Sequence, residues 1–307
     1  MIKYSEGKCF IGKTLVMSSD KVEIQITLDV GPRIISLRYL PDGKNIFFED
    51  INDLVNKDVS ADYGQGEMWH IYGGTRMWLS PEDETTYVPD NSPVKYEKIK
   101  NGAVFVPKKW PLHKVQTKLK IEFLDEEKID VEMSATNLDS KVSPLCIWSL
   151  SVCKPGGVLV VPLSRENTGY LPNRNIVHWS YNDMLDRRYA VTDEAIFVAS
   201  DARIKRALKL GTFLPNIIAQ YMVEETVFIK EVKGDKKGHY PDFHCNFETY
   251  TNDLIHEVET LSPITLVEPG KTLLHKEKWT IKKAKKSWVE NTKKLQIAAP
   301  QAPIIYL

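Results

Sequence analysis

A chain of 307 residues, 42% hydrophobic and 27% charged, has an ordinary globular composition and the length to bury a large core. Its 41 Lys+Arg balance 41 Asp+Glu, so no global field draws it to nucleic acid or to an anionic membrane. There is no apolar run of transmembrane length, no secretory pattern at the N-terminus, and no metal-pair or disulfide spacing among Cys9, Cys146, Cys153 and Cys245; a reducing cytoplasmic setting is expected.

Residues 22–28 (VEIQITL) alternate, with Val22, Ile24, Ile26 and Leu28 facing inward. Turn signals at Gly31-Pro32 and Pro41-Asp42-Gly43 bracket a second strand at 33–40, and 45–49 is expected to return as a third. Residues 67–90 mix Trp, Tyr and Gly with His70, Arg76, Glu82 and Asp90 and have no helical period; Gly73-Gly74 permits an unusual backbone or a close approach. Further strands are read at 104–106, 117–123, 129–135, 145–152 and 158–163. Residues 171–188 form a polar, aromatic, irregular segment holding Arg174, His178 and Trp179, and strands resume at 195–199 and 226–232. After Pro269-Gly270 a last strand covers 272–281, and the lysine-rich tail reads as a short amphipathic helix within 283–297. Many short strands with regular turn signals predict an all-β fold, a large antiparallel sandwich in a single domain over 1–307, with its core at 20–281 and a tail at 282–307.

The densest chemistry lies at 239–263 (HYPDFHCNFETYTNDLIHEVETLSP). Two strands are expected, at 245–251 and 254–261, joined by a turn at Asn252-Asp253. Glu257 and Glu259 then share a face, as do Asn246, Glu248 and Tyr250. Two carboxylates on one dry strand face repel, and a ligand, cation or proton compensates them; on a solvated face they do nothing special. The aromatics Trp69, Trp78 and Trp179 beside Arg76, Glu82 and Arg174 suit sugar recognition, which uses ring faces for C–H patches and bidentate partners for hydroxyls. The plain alternative is an aromatic cluster at the core edge with satisfied polar groups. His239 and His244 near Asp242 lack a matching third ligand, so no metal is expected; the Gly-rich phosphate loop, H-E-x-x-H and G-x-S-x-G are all absent, and no cofactor is expected.

The opening VEIQITLDVGPRIISLRYLPDGKNIFF and the closing HEVETLSPITLVEPGKTLLHKEKWTI resemble the two ends of galactose mutarotase-like domains. With YGGTRMWLSPE, TYVPDNSPV, LPNRNIVHWSYNDMLDRR and YPDFHCNFETYTN between them, the chain resembles an uncharacterised branch of the galactose mutarotase-like, or aldose 1-epimerase-like, superfamily over about residues 20–281. The resemblance implies a supersandwich that binds a small carbohydrate on a concave sheet face. It also implies a glutamate base at Glu259, and it sets Tyr72 and Trp148 where the mutarotases carry histidines. Opening a hemiacetal ring needs a proton at the ring oxygen, which an indole does not supply. The expected site therefore comprises Glu259, Glu257, His178 and His244 as catalytic groups, with Trp69, His70, Arg76, Glu82, Arg174, Trp179, Asp242 and Glu248 binding substrate. The expected function is aldose-epimerase-type acid–base chemistry; the alternatives are glycoside cleavage and sugar binding without catalysis. The sequence leaves the sugar and the oligomeric state open.

Overall fold

Alternation sets the strands. In a computed structural model, which describes residues 1–285, Val22, Ile24 and Ile26 of the strand Val22–Thr27 are fully buried while Glu23 and Gln25 are half-buried. The same pattern runs through Val115–Phe123 and Lys128–Asn137, which pair antiparallel along their length. Ile147–Cys153 has no alternation because both of its faces are covered, and every residue in it is buried.

The strands make two ten-stranded antiparallel sheets. One, the site sheet, has at its centre Ile34–Tyr39, Gly74–Leu79, Ile147–Cys153, His256–Leu261, Phe247–Thr251 and Leu208–Thr212, in that spatial order. The other, the backing sheet, has Asn216–Val223, Thr226–Lys233, Thr272–Lys283 and Lys128–Asn137 at its centre. Between them lies the apolar core, where Phe47, Phe228 and Trp279 meet edge to face at 5.0 to 6.0 Å.

A buried ion pair of the backing sheet also reaches across this layer by hydrogen bonds. Lys230 of the backing sheet reaches Glu277 at 3.1 Å and donates to the Val258 carbonyl at 3.0 Å. It also donates to the Ser149 hydroxyl at 3.3 Å, so one ammonium grips two neighbouring strands of the site sheet from behind. Glu277 in turn accepts from the Trp279 indole at 2.7 Å and from Thr260. Such a pair is tolerable in the interior only because these hydrogen bonds complete it.

Gly73 and Gly74 serve a close approach of chain to chain. Both have positive φ, 99° and 67°. A Cβ at Gly73 would fall 2.0 Å from the Phe48 carbonyl oxygen, and one at Gly74 2.3 Å from that of Ile34. They let the strand Gly74–Leu79 enter the middle of the site sheet.

Several expectations change. Residues 45–49 form no strand; Phe47 and Glu49 make isolated bridges to Cys153 and Gly73. The strands Lys3–Cys9, Gly12–Ser18, Gly74–Leu79, Leu208–Thr212 and Asn216–Val223 were not anticipated. Helix is limited among the described residues to four-residue segments and one 3-10 turn. The segment Pro241–His244 is a left-handed turn, with Asp242 and Phe243 at φ 50° and 57°. The expected tail helix lies almost wholly outside the described residues. The four cysteines are free thiols, three of them buried, and no described helix is long and apolar enough to cross a membrane.

Candidate functional site

Strand register assembles the site. Glu259 stands opposite Leu150 on one side and Glu248 on the other; Glu257 stands opposite Tyr250, and Trp148 opposite Trp78. Directly opposed residues share a sheet face. Arg76, Trp78, Trp148, Glu248, Tyr250, Glu257, Glu259 and Lys209 therefore lie on one side of the site sheet, the side away from the backing sheet. The opposite face carries Thr249, Val258 and Thr260, which meet the sandwich interior.

Lys209 organises the carboxylates. Its Nζ lies 2.9 Å from Glu248 and 3.5 Å from Glu259, and its side chain is almost fully buried, as are both glutamates. The ammonium also sits over the rings of Trp148 at 4.5 Å and Trp179 at 4.8 Å. Burial opposes its charge, but the carboxylates of Glu259 and Glu248 outweigh burial and raise its pKa. Trp148 adds an indole hydrogen bond to Glu259 Oε2 at 2.9 Å.

Burial pushes Glu257 up to about 7, aided by the charge of Glu259 and resisted by Arg76. Burial likewise pushes Glu248 up to about 8 against the pull of Lys209. Glu259 is also raised by burial, with Lys209 and the Trp148 hydrogen bond acting the other way. Three carboxylates face two cations, so a proton on one of the glutamates balances the cluster near neutral pH.

Arg76 supplies the second cation. It is 5% exposed, with its guanidinium 4.6 Å from the Trp78 ring and 5.2 Å from Trp69. Burial lowers it to about 10, the nearby Arg33 adding to the effect and Glu257 opposing it. Trp69 and Trp78 stack at 5.5 Å, Trp78 and Trp148 at 5.7 Å, and Tyr87 closes on both Trp69 and Trp78 edge-on. Among the described residues, Arg76 Nε and Nη1, Trp78 Nε1, Glu248 Oε1 and Glu259 Oε1 are buried without a hydrogen-bond partner. Buried polar groups are rarely left in that state, and each of these is free to meet a partner from outside the chain. The set has donors on Gly74–Leu79 and acceptors on the two glutamate strands.

Of the residues singled out in the sequence, Glu248, Glu257, Glu259, Arg76, Trp69 and Trp179 come together here. Glu82 bonds Tyr87, which packs on this aromatic wall, and its charge acts on Glu257 and Glu259; Asp242 acts on Glu248. Four residues stand apart. His70 pairs with Asp53 at 2.6 Å and stacks on Tyr72. His178 meets Asn182 at 3.2 Å and the Tyr189 ring, and burial lowers its pKa. His244 packs on Phe213 and Tyr240, and Arg174 donates to the Ser164 carbonyl at 3.2 Å. None of the four shares a hydrogen bond or ion pair with the three carboxylates among the described residues. Lys209 was missed: in RALKLGTF it looks like any surface lysine, and only the strand alternation with Gly211 would have turned it toward Glu248.

No family model and no curated protein matches the sequence. Solved structures do. A galactose mutarotase-like protein from Clostridium acetobutylicum aligns at TM-score 0.56 and 12% identity, over 92% of this chain and 99% of its own. A galactose mutarotase-like protein from Lactobacillus casei aligns at 0.52 and 10%, over 88% and 100%. A TPR-domain containing protein from Parabacteroides distasonis aligns at 0.58 and 13% over 96% of this chain, which spans 50% of that protein's length. At these identities the likeness speaks to architecture: the chain has the galactose mutarotase-like fold.

Proposed function

We propose that the chain binds a carbohydrate against the face carrying Glu259 and acts on it by acid–base chemistry of the aldose-epimerase type, with Glu259 as base. The observation that supports this most is the set of buried, unpartnered donors and acceptors among stacked indoles: Arg76 and Trp78 on one side, Glu248 Oε1 and Glu259 Oε1 on the other. A pyranose suits that set, with hydroxyls that both donate and accept and C–H faces that lie on indole rings. The fold shared with proteins named galactose mutarotase-like points the same way.

In the proposed step Glu259 Oε1 takes the proton of the anomeric hydroxyl while the bond between C1 and the ring oxygen breaks. The ring oxygen takes a proton as it leaves. Rotation about C1–C2 and reclosure on the other carbonyl face give the second anomer, and both protons return. A histidine is the acid in the mutarotases that the sequence resembles; here the proton comes from the carboxylate cluster. With Glu257 and Glu248 pushed up to about 7 and about 8, the cluster keeps a proton on one of its glutamates near neutral pH, the condition an acid of this kind must meet.

One observation favours sugar binding without turnover. Glu259 Oε2 is already engaged by Trp148 and Lys209, and the indole takes the place where the resemblance puts the acid histidine. Titrating free aldoses and short glycosides while following tryptophan emission tests the shared premise, because Trp69, Trp78 and Trp148 line the face. A saturable change with at least one sugar is expected. No change with any sugar, in a folded sample, removes both readings; binding with no anomer exchange leaves the second.

A further inference from the structure

The polar segment 171–188 meets the Glu259 face at one tight turn. Val177–His178 pairs with Leu210 and Gly211 as the last strand of the site sheet, and the chain then reverses. The Asn182 N–H donates to the Trp179 carbonyl at 3.0 Å, which closes a four-residue turn over 179–182. Asn182 latches this turn to the sheet. Its side-chain amide donates to the Lys209 carbonyl at 2.6 Å, and its amide oxygen accepts from the Lys209 N–H at 2.9 Å. Arg206 adds two more bonds, to the Tyr181 carbonyl at 3.2 Å and the Asn182 carbonyl at 3.3 Å. The turn is thus fixed beside the lysine whose ammonium lies 2.9 Å from Glu248 and 3.5 Å from Glu259.

Two side chains of the turn bear on the face. The Trp179 ring lies 4.8 Å from Lys209 Nζ, and a Cβ at Gly211 would meet it at 3.3 Å. Tyr181 is 41% exposed, so a ligand can reach it from solvent, and its hydroxyl has no hydrogen-bond partner among the described residues. Burial raises the pKa of that hydroxyl; the Lys209 ammonium opposes the rise, and Tyr250, Glu259 and Glu82 add to it. Charge effects weaken with distance, so the hydroxyl stands over the face that carries Lys209, Tyr250 and Glu259 and toward Glu82, which bonds Tyr87 at the indole wall. The phenol therefore stays protonated over the whole range in which the carboxylates titrate, a donor whose state does not change with theirs.

We propose that the 179–182 turn is the outer wall of the sugar site and that Tyr181 is a specificity-determining residue, its hydroxyl bonding one hydroxyl of the sugar from the solvent side. The sugar then lies between the indoles and carboxylates of the sheet and this turn. The proposal rests on the carbohydrate reading of the Glu259 face and adds to it a contact from outside the sheet. A site built to bond a particular hydroxyl discriminates against the analogue that lacks it. Tyr181 selects in this way and moves no proton in the reaction, which is left to the carboxylates.

Calorimetric titration of the whole chain tests it, with glucose, galactose and mannose and with the monodeoxy analogues of each, for wild type and Tyr181→Phe. The variant keeps the ring and removes a hydroxyl that bonds nothing in the protein, so its thermal midpoint is expected to match wild type. It is expected to bind the preferred aldose about three- to tenfold more weakly, the scale of one neutral hydrogen bond. One deoxy analogue is expected to lose a similar factor against its parent in wild type and almost none in the variant, because the partner hydroxyl is already gone. Analogue factors that are the same in both proteins, even with weaker binding overall, would mean that Tyr181 acts through shape alone and would overturn the contact while leaving the Glu259 site in place. So would a variant that binds every sugar as wild type does. No binding of any of these sugars by folded wild type would remove the sugar reading and this contact with it.

Discussion

Lys209 is what lets Glu248 and Glu259 share a dry sheet face. Replacing it by methionine keeps the stem and removes the charge, leaving two buried carboxylates without their cation. The expected cost is about 3–5 kcal/mol at neutral pH. The loss shrinks in acid, where the glutamates take up protons, and urea denaturation at pH 5 and pH 8 reads the difference. Glu257 carries its own pH signature. Its carboxyl titrates at its ordinary 4.5 when unfolded and at about 7 when folded. Below 4.5 both states are protonated and nothing is lost. As pH rises toward 7 the unfolded state ionises first, so this group's contribution to stability declines across that window. Glu257→Gln stays neutral throughout. It is expected to melt progressively higher relative to wild type as pH goes from 5 to 8, by a difference on the order of 2–3 kcal/mol; a constant offset would contradict the assigned burial. At this scale the glutamates were legible because E-x-E on a strand fixes a shared face. The lysine was not, since one-dimensional pattern does not say which long cationic side chain turns inward.

The strands that bring these residues together differ in how openly they are written. Val22–Thr27, Val115–Phe123 and Lys128–Asn137 announce themselves by alternation because one face of each is more polar. Phe247–Thr251 and His256–Leu261 follow from their turn at Asn252, whose side chain accepts from Leu254 and Ile255 N–H at 2.8 and 3.0 Å. Gly74–Leu79 was hidden. Its sequence, GTRMWL, carries Arg76 on one face and follows glycines that read equally well as loop. The glycines are the device: a Cβ on either would fall 2.0 or 2.3 Å from a neighbouring carbonyl oxygen, so only residues without one fit there. Gly74→Ala must both abandon φ 67° and displace the Ile34 backbone. An expected loss of about 2–4 kcal/mol combines strain with overpacking, read as a lower urea midpoint with unchanged m-value. Because Arg76 is two residues along the same strand, sugar binding is expected to weaken with it.

The whole molecule is a sandwich whose two sheets meet through apolar contact and through the hydrogen bonds that a buried ion pair of the backing sheet makes to the site sheet. Lys230 and Glu277 come from the backing sheet, yet Lys230 bonds Ser149 and Val258, the residues flanking Leu150 and Glu259 in the site sheet. Lys230→Met is expected to cost about 3–5 kcal/mol by stranding Glu277, and adding Glu277→Gln is expected to recover most of it, because the penalty is the unpaired charge. Equal instability in the single and double variants would mean that the network acts through packing. At this scale the β architecture was legible from repeated short alternating runs and turns. The lateral order was not. That Ile147–Cys153 separates Gly74–Leu79 from His256–Leu261 is a fact of long-range pairing, set by which faces bury together and written in no single segment. The same limit hides the partners of His178 and His244, which are Asn182 and Tyr189 for the first and Phe213 and Tyr240 for the second.

The central claim is that Glu259 works as a base on a sugar held at this face. Its most direct test is polarimetry of freshly dissolved single anomers of a panel of aldoses and short reducing glycosides, with wild type and Glu259→Gln side by side. The account predicts that wild type accelerates anomer exchange of at least one member and that the amide lowers the rate by about a hundredfold or more. Affinity for that sugar should change far less, since the amide still donates and accepts hydrogen bonds. Acceleration by wild type that Glu259→Gln leaves intact, or none with any sugar, would contradict it.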